Sequence, residues 1–201
     1  MEEAGQGGSD GGKARGASRR ASACQTEARI LAYRGARGEA LPLWREVAAI
    51  EPLALDAHEA IAQALLEAEG REAARKYLTD LVGRFPHHHG VQRTYAVFLR
   101  DDGPPSVETA VRRFLAQDPS YPWLRRELSV ALRLLGRFPE SLAEAEEARR
   151  LEPAEPLAQF LVGRALEGAG RVAEARAAYR EAIRLSVDAG YVIEHLVAAC
   201  D

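Results

Sequence analysis

Asparagine is missing from this chain altogether, and lysine occurs only at positions 13 and 76, so its cationic chemistry rests on arginine. Cysteine occurs twice, as Cys24 and Cys200 near opposite ends, which makes neither a disulfide framework nor a metal-ligand spacing. The plain expectation is a pair of thiols in a reducing, cytoplasmic setting. No apolar run approaches the ~20 residues that a bilayer-spanning helix needs, and the N-terminus lacks the apolar core of a signal peptide. A membrane is therefore not an expected partner. Aromatic residues make up only 6% of the chain. With alanine abundant, that composition suits closely packed helices better than a β-sandwich.

A concentrated basic surface is also lacking. The formal net charge is −3, and residues 1–20 set Lys13, Arg15, Arg19 and Arg20 against Glu2, Glu3 and Asp10, so the acidic excess lies in the remainder. Binding to a phosphate backbone needs the opposite balance, and no nucleic-acid partner is expected. Catalytic signatures are absent too: no nucleophile elbow, no phosphate-cradling glycine loop and no His-Glu-x-x-His. The chain is not expected to be an enzyme, and no cofactor is implied. His87-His88-His89 follows Pro86 without a carboxylate or cysteine at useful spacing, so a solvated loop is expected rather than a metal site. Asp101-Asp102 and the carboxylates of 144–147 read as solvated surface.

What the chain does have is length for one sizeable core, a 47% hydrophobic content and a period. Residues 1–20 are Gly- and Ser-rich with no apolar face, so a disordered tail is expected there; within its margin Arg19-Arg20-Ala21-Ser22 has the form of a basophilic kinase site. Beyond it, proline falls at 52, 86, 119 and 153, each after a run of helix-forming residues that it ends. One further step of 34 reaches Val187. Gly35, Gly136 and Gly170 stand 17 residues before such marks, whereas Gly70 and Gly103 stand 16 before theirs. The clearest unit is Pro156 to Val187, two amphipathic helices broken at Gly170. One pair cannot bury both apolar stripes, so pairs must stack.

Each pair carries its own version of one pattern. The last shows Gln159, Val162, Gly163 and Leu166, then Ala175 and Tyr179; the one before shows Arg125, Leu128, Ser129 and Leu132, then Ser141 and Ala145. Residues 55–88 show His58, Ile61, Ala62 and Leu65, then Ala74 and Leu78. The looser third set is Val91, Thr94, Tyr95 and Phe98, then Val107 and Val111. The first unit keeps Leu31, Ala40, Trp44 and Pro52, with Glu27 where an apolar residue is expected. A 34-residue helix–turn–helix unit of this kind resembles the tetratricopeptide repeat family, over roughly residues 21–201.

The resemblance implies an all-α, right-handed superhelical solenoid of about five repeats, at about 21–54, 55–87, 88–121, 122–155 and 156–189. Residues 190–201 would form a capping helix or open a further repeat. It also implies a non-enzymatic scaffold for a protein or peptide partner, held on a concave surface made by the first helix of each pair. Carried over position by position, that surface takes Gln92, Arg93 and Arg100, then Trp123, Arg126, Val130 and Arg133, then Leu157, Phe160 and Arg164. Arginine captures a carboxylate with two parallel hydrogen bonds, and Trp or Phe supplies an anchor, so an acidic or C-terminal peptide is the sharp expectation. The bland one is that these arginines pair with Glu59, Glu67, Glu127 and Glu167. The Lys, Asn and Arg clamp of chaperone-binding repeat domains cannot be assembled here without asparagine. Two other readings stay open: a recruiting module of a larger enzyme such as a transferase or peptidase, and, less favoured, a helical-repeat RNA binder.

Overall fold

A computed structural model describes residues 8–186. Among the described residues there are ten α-helices and no strand. They are α1 (Gly8–Tyr33), α2 (Arg37–Ile50), α3 (Leu55–Ala68), α4 (Arg71–Arg84), α5 (His89–Leu99), α6 (Pro104–Leu115), α7 (Pro122–Leu134), α8 (Phe138–Leu151), α9 (Pro156–Gly168) and α10 (Val172–Leu185). A 3-10 turn, Arg100–Asp102, follows α5. The expected helix in 190–201 lies outside the described residues. None of the described helices is long and apolar enough to cross a membrane.

Two compact units divide at Tyr95 and Ala96, within α5. In the first, α1 packs on α2, α2 on α3 and α3 on α4. In the second, α6 packs on α7, α7 on α8, α8 on α9 and α9 on α10, and α7 also meets α9.

The two glycine spacings in the sequence are two kinds of turn. Gly35, Gly136 and Gly170 have φ of 81°, 74° and 76°. The amide after each bonds back five residues, as Arg137 N does to Leu132 O at 2.9 Å. That is the Schellman ending, which places one more residue before the next helix. Gly70 and Gly103 instead have φ of 92° and 93° with ψ near extended, and themselves begin the next helix. Around Gly136 a Cβ would meet nothing within 4 Å. Gly136→Ala is therefore expected to lose about 1–2 kcal/mol from the left-handed backbone alone, measured by urea denaturation.

A small buried residue recurs on the first helix of each pair: Ala28, Ala62, Ala96, Ser129 and Gly163. Ala40, Ala74, Val107, Ser141 and Ala175 recur, buried, on the second. In the α7–α8 pair the Ser141 hydroxyl donates to Ser129 O at 2.8 Å across this approach. This series corrects two sequence expectations. In the third pair the register moves by one, to Gln92, Tyr95, Ala96 and Leu99; Gln92, Ala96 and Leu99 are buried, while Tyr95 and Phe98 are only partly so. In the first, Glu27 is exposed, and α1 buries Ala21, Cys24 and Ala28 instead. Residues 8–20, expected to lack order from their Gly and Ser content, are helical. Alanine and arginine between 13 and 22 are strong helix formers, and a helix nucleated on the packed face extends at little cost per residue. Ser22 sits inside that helix, its hydroxyl bonded to Ser18 O.

At three of the four closing prolines, Pro52, Pro86 and Pro119, a side chain six residues on takes up the proline carbonyl. Gln92 Nε2 donates to Pro86 O at 2.7 Å, and Arg125 Nη2 to Pro119 O at 2.9 Å. His58 Nε2 lies 2.9 Å from Pro52 O, which can only accept, so that nitrogen carries the proton. Nδ1 is then the acceptor for Tyr77 OH at 2.6 Å.

Burial pushes the Tyr77 phenol up to about 12, against the opposing charges of Arg84 and Arg45. A pKa raised above its ordinary value of 10.0 means that the neutral phenol favours the fold. That stability is complete below pH ~10 and is lost as pH rises from there to about 12. Circular dichroism in an alkaline titration should show it. Tyr77→Phe is expected to lower stability by about 1 kcal/mol at neutral pH, by leaving His58 Nδ1 unpaired, and to make the alkaline fall shallower.

Candidate functional site

Trp123, Arg126, Val130 and Arg133 are spaced three or four apart and share one face of α7; Leu157, Phe160, Arg164 and Glu167 do the same on α9. Val130, Leu157 and Phe160 are partly buried and pack against the cluster of Leu161, Val162, Leu166 and Tyr179. The ring of Phe160 is 5.6 Å from that of Tyr179, centre to centre, and that of Trp123 is 6.3 Å from Tyr121. The anchors are thus held by the same core that joins the two helices.

The arginines differ in how far the chain already satisfies them. Arg100 grips Glu127 with both prongs, Nε to Oε2 at 2.9 Å and Nη2 to Oε1, and this pairing raises its pKa. Arg126 is bonded to Glu152 through Nη1. Arg93 stands on α5 in the first unit. Gln92, placed on the groove by the sequence pattern, is buried and spent on Pro86 O instead. Glu59 accepts from Thr94 and Glu67 from Arg37. Elsewhere, Glu144 pairs with Arg125 and Glu147 with Arg150, and His88 Nδ1 accepts from Val91 N at the start of α5.

Arg133 and Arg164 are different. Arg133 makes no ion pair among the described residues, and its Nε is buried without a hydrogen bond. Arg164 reaches Glu167 only at 3.6 Å and lies 6.0 Å over the Phe160 ring. Glu167 already accepts from Tyr179 OH at 2.9 Å; burial first, and then this bond, drives the Tyr179 phenol upward. Burial first, and then the charge of Arg164, push the Arg133 guanidinium below its ordinary range, with Tyr179 and Glu167 opposing. The Glu167 carboxylate is thus partly engaged, Arg133 has no carboxylate of its own, and its Nε, like that of Arg126, is left without an acceptor. The sequence pattern placed both arginines on this face, but not which of the face's arginines would be left unspent. That depends on Glu127 and Glu152, which only folding brings to Arg100 and Arg126.

Beside this pair is a cavity of about 160 Å³, lined by Pro104, Val107, Val130, Ala131 and Leu134, with Arg100 and Glu127 at its edge. The sequence reading missed it, although Leu134, which is 58% exposed, is an apolar residue beyond those the core stripe of α7 needs.

Within each unit short helices pack on their neighbours in chain order, with small buried residues recurring at matching positions, which is a helical-repeat architecture. Residues 127–189 match the sequence model of the tetratricopeptide repeat family. The same architecture appears in solved structures that this chain is similar to, among them a thermophilic tetratricopeptide repeat protein, TTC0263, in Thermus thermophilus. That match has a TM-score of 0.64 at 19% identity, over 90% of this chain and 98% of the other. MamA 41-end from Desulfovibrio magneticus RS-1 matches with a TM-score of 0.61 at 16% identity, over 85% and 98%. PilF of Pseudomonas aeruginosa matches with 0.62 at 17%, over 88% and 81%. Comparison with curated proteins gives no match. Residues 127–189 carry the tetratricopeptide pattern, and the described chain shares the all-α helical-repeat fold of these structures.

Proposed function

We propose that this chain holds a protein partner through the α7–α9 face, and that the partner contributes an acidic segment. The observation that carries the reading is Arg133, whose Nε is buried without a hydrogen bond and whose charge is opposed by that of Arg164, the latter lying over the ring of Phe160 and reaching Glu167 only at 3.6 Å. An arginine half-buried without a counterion costs the free chain stability, and a carboxylate arriving there gains charge-assisted bonds in a partly desolvated place. Trp123, Val130 and Leu157 supply the apolar contact around it. The test is capture from the source lysate by the intact chain and by an Arg133→Glu/Arg164→Glu variant whose circular dichroism is unchanged. A partner held by the first and lost by the second supports the reading; one held equally by both contradicts it.

A further inference from the structure

The 160 Å³ cavity on α6 and α7 is distinct from the arginine pair but adjoins it. It is lined by Pro104, Val107, Val130, Ala131 and Leu134 together with Arg100 and Glu127, whose charges neutralise each other. Drug-sized ligands and cofactors occupy roughly 300–1,000 Å³, so the cavity is too small for one. An apolar cavity on the order of 150 Å³ holds something the size of benzene, which matches a single aliphatic or phenyl side chain. Leu134 stands at the mouth with more than half of its surface exposed.

Arg133 is the neighbour of Leu134 in sequence and lies one turn from Val130, so two of the cavity's lining residues adjoin the arginine along α7, their Cβ atoms about 5–6 Å from its own at the one-turn spacing. Charge complementarity defines what covers cavity and arginine. The cationic pair calls for a carboxylate, and the neutral apolar hole beside it calls for a branched aliphatic side chain. We propose that the partner is a short protein segment presenting a Leu, Ile or Val side chain next to an Asp or Glu, the first seated in the cavity and the second on Arg133 and Arg164. This rests on the acidic-segment reading above and adds the second anchor.

The probe is a random dodecapeptide library, selected on the immobilised full chain and re-synthesised with amidated C-termini. Enrichment of an acidic residue within about four positions of a branched aliphatic is the expected result. The selected peptides should bind at least tenfold more weakly to Leu134→Gln, an exposed position whose change leaves the core intact, and to Val130→Phe, which fills the cavity. They should also be lost on Arg133→Glu/Arg164→Glu. Acidic peptides with no aliphatic preference, indifferent to Leu134→Gln and Val130→Phe, overturn the second anchor and leave the arginine reading standing. Peptides indifferent to the arginine pair overturn both, as does the absence of any enrichment. Loss of binding on amidation would move the carboxylate from a side chain to a chain terminus and overturn the acidic-residue part.

Discussion

Gly163→Leu is expected to lower the melting temperature by about 2–12 °C, from an overpacking cost of about 1–3 kcal/mol spread over a chain of this size. A Cβ built on Gly163 overlaps Cε1 and Cδ1 of Tyr179, and the ring has nowhere to retreat. It is 2% exposed, packed against Phe160 and tied through its hydroxyl to Glu167. Even Gly163→Ala should destabilise, which reverses the usual sign, because alanine in an open helix gains about 0.8–1.0 kcal/mol over glycine. Gly83 in α4 is the control: a Cβ there meets nothing within 4 Å, and Gly83→Ala should be neutral or stabilising. The cost of Gly163→Ala should vanish in a Tyr179→Ala background, since the clash is its only source. The α7–α8 pair has already made this exchange, with Ser129 at the approach and Ala145 where Tyr179 stands.

Charge reversal at Arg133 and Arg164 is expected to weaken partner binding at least ~100-fold. Charge-assisted hydrogen bonds contribute about 1.5–3 kcal/mol each, and two are replaced here by repulsion. The same residues should behave oppositely in the free chain. Arg133→Gln removes a guanidinium that is partly buried, short of hydrogen bonds and repelled by Arg164. Its melting temperature should stay level or rise while binding falls, the pattern of a residue kept for function at some cost to the fold. Arg100→Gln should do the reverse. It strands Glu127, which is 8% exposed, and so lowers stability. Thermal melts and binding isotherms on the three variants separate the two roles.

How much of this was legible in the sequence differs by feature. The period was legible because each turn needs a residue that few others can replace: proline to end a helix, and glycine to hold a positive φ. Even the 16- against 17-residue spacing was legible as a difference, though only the dihedrals at Gly70 and Gly136 show it to be two turn types. The register of the third pair was not, because Val91 and Gln92 are both buried and hydrophobicity alone prefers the valine. What decides is a polar requirement, the carbonyl of Pro86, which a period of apolar residues does not report. Likewise the face of α7 and α9 followed from spacing, but not the fate of each arginine. Arg100 meets Glu127 from 27 residues away and Arg126 meets Glu152 from 26. Pairings across repeats depend on side-chain reach, and Arg133 was left over by a subtraction that only the folded chain performs.

The central claim is that the α7–α9 face, and not the exposed face of α8, receives the partner. Photo-crosslinking tests it most directly: benzoylphenylalanine placed at Val130 on this face, or at the exposed Arg149 of α8, in otherwise intact chains exposed to the source lysate. Cross-links to one partner from position 130, abolished by Arg133→Glu/Arg164→Glu and absent from position 149, are the predicted result. Cross-links from position 149 with none from 130 would contradict the account.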